Sequence, residues 1–157
     1  MRKLVVIVSI VWIAGFAMGN AFWYLASPLW IDRTVSEHVP TLNPQTALKT
    51  GEFMNADSAH RGQGAAAITK TDGGRKMVSF TNFKVTNGPD LKVYVVEAST
   101  VSNSDSVLQS RHRSLGTLKG NIGNQNYAIP DDLEFEVGSV VIWCEQFSVL
   151  FSAAALK

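Results

Sequence analysis

Between Leu4 and Ala26 the chain carries no charged side chain, and this run decides how the rest must be partitioned. A helix needs roughly 20 apolar residues to cross the hydrocarbon core of a bilayer, and this stretch is long enough. Met1-Arg2-Lys3 precedes it, while Phe22, Trp23, Tyr24 and then Trp30 follow its apolar centre. Cationic flanks stay cytoplasmic and aromatic rings favour the interface. The expected topology is therefore N-terminus in, with residues 1–31 as a signal anchor in the cell membrane and everything after Ile31 extracytoplasmic, either periplasmic or extracellular. The competing outcome is a cleaved signal peptide, because Gly19-Asn20-Ala21 supplies the small residues a signal peptidase reads. The length of the run favours the uncleaved anchor, since signal cores usually extend only ~7–15 residues. Both outcomes export the domain. Gly15 and Gly19 stand one helical turn apart and Asn20 follows them, a pattern that allows at most a weak homodimer through the helix.

Residues 32–49 hold Pro40, Pro44 and scattered charges without a sustained apolar period, which reads as a tether. Residues 50–157 are enough for one hydrophobic core without disulfide support. The net charge of +1, with dispersed Lys and Arg, gives no basic patch for nucleic acid.

Within the domain, short apolar runs alternate with turn residues. Asp72-Gly73-Gly74 lies between Ala65–Thr69 and Lys76–Phe80, as in a hairpin with positive φ at its glycines. Asn87-Gly88-Pro89-Asp90 makes a sharp turn before Leu91–Val96, where Leu91, Val93 and Val95 share one face. Ser99 to Ser114 is serine-rich and reads as a long surface loop. Leu115 to Pro130 has the glycines and asparagines of tight turns flanking a strand through Tyr127 and Ile129. Ser139 to Cys144 is apolar on both faces, as a central strand should be, and Phe147, Val149 and Phe151 alternate with Ser148, Leu150 and Ser152. The expected fold class is all-β, an antiparallel β-sandwich preceded by one transmembrane helix.

Cys144 is the only cysteine in the sequence, so it has no partner within the chain. In an exported domain a solitary thiol is a buried small hydrophobe, half of an intermolecular bridge, or a group kept for redox or metal chemistry. Sharing a strand face with Val140 and Ile142 suits the first; a reactive thiol needs a cation or donor beside it.

Several ordered motifs carry a resemblance. Gly51-Glu-Phe53, His60-Arg-Gly-Gln-Gly64, the run Asn82 to Tyr94 with Asn87-Gly-Pro-Asp90, Leu115 to Asn121, Asn126-Tyr127 with Ile129-Pro130, and Val141 to Phe151 together resemble the electron-transfer DM thirteen domain family. This family is a small extracytoplasmic β-domain that accompanies DOMON domains in animals. The resemblance covers essentially the whole exported domain. It implies a redox or electron-transfer role centred on Cys144, with the histidine of the opening motif at His60. His60 is then the first candidate to activate the thiol, and Lys119 a second.

Other chemistries fit less well. A cupredoxin-like copper site needs two histidines, a cysteine and usually a methionine. Cys144, His60, His112, Met54 and Met77 supply the types, but no histidine or methionine follows Cys144 on the loop where such sites gather their ligands. Covalent haem lacks its Cys-x-x-Cys-His, leaving only non-covalent ligation by Cys144, His60 or a methionine. His60, Asp90 and Ser148 lack the Gly-x-Ser-x-Gly context of a hydrolase. Trp143 and Tyr127 read as core aromatics before groove lining. Asn121, Asn124, Gln125 and Asn126 form an uncharged polar cluster that suits either a sugar or peptide ligand or plain turn chemistry. Two functional classes stand: a membrane-tethered redox or electron-transfer module using Cys144, and a non-catalytic extracytoplasmic binding or envelope-interaction domain with a structural cysteine.

Overall fold

The computed structural model describes residues 1–39, 47–71 and 73–157, apart from the side chains of Leu25 and Pro28; Pro40, Pro44 and Asp72 lie outside the described residues. Helix α1 (Arg2–Ala26) contains a span, Arg2–Tyr24, of mean hydropathy 2.1 that is long and apolar enough to cross a membrane and is not buried among the described residues. By length and composition this helix fits either a membrane anchor or a signal sequence. Asn20 turns inward on its own helix, donating from Nδ2 to the Phe16 carbonyl at 2.7 Å. One 3₁₀ turn over Ser27–Leu29 ends the helical segment.

Nine strands follow among the described residues: β1 (Thr34–Ser36), β2 (Ala47–Asn55), β3 (Gly62–Lys70), β4 (Lys76–Val85), β5 (Leu91–Val96), β6 (His112–Thr117), β7 (Ile122–Ala128), β8 (Ser139–Cys144) and β9 (Val149–Ala155). The fold is mostly β with one N-terminal apolar helix, as the sequence leads one to expect. Its layering differs from two separate sheets of a sandwich. The strands hydrogen-bond as one continuous sheet in the order β1-β7-β4-β3-β2-β9-β8-β5-β6, which curls into a half-barrel and brings β6 against β7. The joint is β2, whose first half pairs with β3 while Phe53, Met54 and Asn55 pair with β9. Spacing and period two do not distinguish these layouts, because both bury one face of each strand.

The inside of the curl holds the main core. On β5, Leu91, Val93 and Val95 face inward, opposite Cys144, Ile142 and Val140 of β8, and meet Phe53, Phe80 and Phe83 from the other half of the sheet. The Phe53 ring lies edge-on to Phe80 at 4.8 Å and to Phe83 at 4.9 Å. Strand β8 is apolar on its other face too because that face is also covered. Val141 and Trp143 join Tyr94, Val96, Leu150 and Ala153 in a second cluster closed by Val107. Val107 belongs to a short helix, α2 (Ser104–Leu108), started by Asn103, whose side chain accepts from the Ser106 amide at 2.9 Å. The expected surface loop Ser99–Ser114 is thus partly a lid: Ser104 and Ser110 accept from the Leu150 and Ala98 amides, its one buried valine supplies cover, and its last residues enter β6. Phe147 also departs from expectation. It sits in the turn before β9 and is 62% exposed, with Ser148 beside it at φ +53°.

The β3–β4 hairpin forms as expected, with Gly74 at φ +78°. The domain's opening strand begins at Ala47, somewhat ahead of Thr50. Residues 32–38 also lie against the domain: β1 runs parallel to β7, Thr34 opposite Ile122 and Ser36 opposite Asn124.

Candidate functional site

Register places Cys144 at one end of the half-barrel. Strands β2, β4, β6 and β8 finish there, and β3, β5, β7 and β9 begin there. Cys144 pairs with Leu91 and Val149, is 1% exposed, and directs its thiol at the Asn87–Asp90 turn, where Sγ donates to the Pro89 carbonyl at 3.0 Å. The accessible thiol that direct redox chemistry requires is therefore not present in this closed conformation.

The turn is a fitted cover. A Cβ on Gly88 would come within 2.6 Å of the Phe151 ring, so only glycine lets the backbone lie this close. Asp90 takes φ +50° and its carbonyl accepts from the Glu145 amide at 3.2 Å. Above this link Glu145 binds Lys92 and accepts from the Tyr94 hydroxyl at 2.6 Å. These bonds to Lys92 and Tyr94 hold the Glu145 carboxyl below its ordinary pKa, and Glu145 in turn raises Lys92. Desolvation, then the Glu145 bond, raises Tyr94.

His60 occupies the same end without joining Cys144. Its ring lies 4.3 Å, centroid to centroid, from Phe151, and its Nδ1 faces Asp57 Oδ2 at 2.7 Å. Asp57 also accepts from the Ala59 and His60 amides, and these bonds, the His60 side chain first, lower its carboxyl to about 2. The shared neighbour is Phe151, which packs in the core with Cys144 and against Gly88. No hydrogen bond joins His60 to Cys144 among the described residues. Lys119, the second candidate, is engaged elsewhere: Nζ reaches Glu37 at 2.6 Å and the Asn126 carbonyl at 2.8 Å, over the Tyr127 ring.

Among the described residues no three His, Cys, Asp or Glu side chains converge to hold a metal ion. His112 stacks near Tyr94 at the start of β6, Met77 opens β4 at the opposite end, and Met54 is exposed. The donor set for a cupredoxin-like centre is therefore dispersed, and it does not fit copper.

The Asn/Gln cluster proves to be a peptide clamp whose peptide is the chain's own. Asn121 Oδ1 accepts from the Arg33 amide at 2.6 Å and its Nδ2 donates to Asp32 at 2.8 Å. Asn126 meets Glu37 and the His38 carbonyl, and Asn124 accepts the Glu37 amide through its own carbonyl. Gln125 is buried and braces the turn beneath, donating to Gly120 O at 2.9 Å and accepting from Tyr127 at 2.7 Å. Burial pushes the Tyr127 phenol up. Gly123, at φ +103°, leaves room for the Val35 carbonyl, which any Cβ would strike.

A long apolar helix, a docked stalk and a curled β-domain with one thiol under a glycine-proline turn define a β-module with an N-terminal apolar helix. The chain belongs to the Electron transfer DM13 family, whose model matches residues 52–156. The match takes in β3 to β9 and the last four residues of β2, and it includes both Cys144 and His60. Neither the curated proteins nor the solved structures compared with the chain give a match.

Proposed function

We propose that the chain is a membrane-tethered, extracytoplasmic redox module whose reactive group is Cys144. Family membership supports a redox-related role, and the apolar helix α1 supports a tether. The observation that carries the reading is the position of the thiol. It lies at the end of a strand under a four-residue turn, so lifting Asn87–Asp90 would uncover it without dismantling the sheet. Once uncovered and deprotonated, the thiolate attacks a disulfide of a partner protein. A sulfur–sulfur bond forms to Cys144, the partner's own bond breaks, and its second sulfur leaves as thiolate. The single cysteine of this sequence cannot complete a disulfide internally, so the electrons pass between chains.

A second reading has its own observation. Cys144 is packed among Leu91, Ile142 and Phe151 in the main core, as expected of a structural cysteine in a non-catalytic binding or envelope-interaction domain. Alkylation of the native protein by an uncharged thiol reagent, across low urea concentrations, separates the two. Under the redox reading Cys144 reacts at a measurable rate that is nearly independent of urea, because the opening is local. A rate that climbs with urea in parallel with global unfolding favours the structural cysteine.

A further inference from the structure

The clamp on residues 32–38 fixes which end of the domain meets the membrane. We infer that the Cys144 end of the half-barrel, with the Asn87–Asp90 and Glu145–Ser148 turns, rests on the outer membrane–water interface, and that the bilayer is the partner of this face. The inference deepens the reading above and rests on its anchor.

The stalk supplies the first argument. From Trp30 to Arg33 the chain spans at most about 11 Å even when fully extended. At Arg33 it is already bonded to Asn121, and at Asp32 to Asn87 at 3.0 Å and to Asn121. Both asparagines belong to turns at the Cys144 end. From there β1 climbs parallel to β7, away from the membrane. The opposite end, with Gly74 and Asp131, stands a strand length away, about 25–30 Å. A flexible tether would leave orientation free; one clamped within a few residues of the helix does not.

The second argument is what the lower end displays. A cavity of about 470 Å³ is shared by Tyr24, Ser27 and Ile31 at the base of the stalk with Gly88, Asp90 and Leu91 of the turn that covers the thiol. The helix base and that turn are thus neighbours. Phe147 belongs to the Glu145–Ser148 turn at this end and is 62% exposed, and Trp30 at the base of the stalk is exposed as well. An aromatic ring at that height is placed for the interfacial zone, as Trp23, Tyr24 and Trp30 are. A partner reaching Cys144 would then approach from the membrane rather than from bulk solvent.

The test uses the full chain in phosphatidylcholine nanodiscs, in a Cys144→Ala background, with a bimane fluorophore on Gln146→Cys, Asp131→Cys or Trp12→Cys. Quenching is read with lipids carrying a nitroxide near the headgroup, or deep in the acyl chain for Trp12→Cys. The Gln146 label should lose most of its fluorescence while the Asp131 label keeps its own, and adding Phe147→Ser should weaken quenching at Gln146. If Cys144→Ala does not fold, the labels are placed with Cys144 retained, since its buried thiol reacts after an exposed one. Equal quenching at Gln146 and Asp131, or stronger quenching at Asp131, overturns the orientation while a quenched Trp12 label leaves the anchor standing. An unquenched Trp12 label removes the anchor, and the inference with it.

Discussion

Cys144 and Gly88 are coupled through a few atoms, and substitution at either should show it. A serine at 144 can still donate toward Pro89, but its shorter bond to Cβ draws the donor back from the carbonyl and leaves a hydroxyl among apolar neighbours. Cys144→Ser should cost about 1–2 kcal/mol in urea denaturation of the full chain in detergent, followed by the change in tryptophan fluorescence. Gly88→Ala forces a Cβ into Phe151 and should cost about 1–3 kcal/mol while speeding native alkylation of Cys144, because the turn that covers the thiol is the part that must move. Asp57 gives a pH signature. Its ordinary value of 3.8 falls to about 2 beside His60, so its contribution is complete above the ordinary value and disappears as pH falls through the folded one. Denaturation midpoints measured from pH 5 down to pH 2 should decline over that window, and Asp57→Asn should flatten the decline.

At the level of elements, the edge strand β1 is the least expected piece of the molecule and the most testable. Its three residues add to β7 by a parallel pairing too short to persist alone, so it depends on Asn121, Asn126 and Lys119 for its place. Lys119 first among its partners lowers the Glu37 carboxyl, so this clasp holds at neutral pH and is lost as pH falls through that lowered value. Asn121→Ala removes the acceptor for the Arg33 amide and the donor to Asp32. Hydrogen exchange should then accelerate at the Glu37 amide, which β1 docking protects through Asn124, while amides of β5 and β8 stay protected; the stability loss should be about 1–3 kcal/mol. Lid helix α2 is held differently, by the apolar contact of Val107 with the outer face of β8 and β9.

The whole domain is one hydrogen-bonded sheet around a main core to which strands on both sides of the β2 joint contribute. Unfolding should therefore be a single transition, with β-sheet circular dichroism and the change in tryptophan fluorescence tracing superimposable curves. Separated midpoints would show that the strands on either side of β2 unfold as independent units.

Residue patterns alone determined the apolar helix, the β class, the hairpin at Gly74 and the doubly buried strand through Cys144, because each rests on local periodicity or turn chemistry. The ordered motifs from Gly51 to Phe151 likewise pointed to the family that the match over residues 52–156 shows. Tertiary structure decided the rest. Whether strands close as two sheets or one depends on β2 changing partners midway, and no local signal marks that change. Phe147 falls outside the period-two alternation because a positive-φ serine breaks it at Ser148. The polar cluster Asn121–Asn126 looked open to outside ligands until the fold laid residues 32–38 across it, and Lys119 went to Glu37 instead of the thiol for the same reason. Sequence supplies which groups exist and which way each faces on its own strand. Their partners are fixed by contacts between residues 50 to 90 positions apart, which only the closed sheet brings within reach.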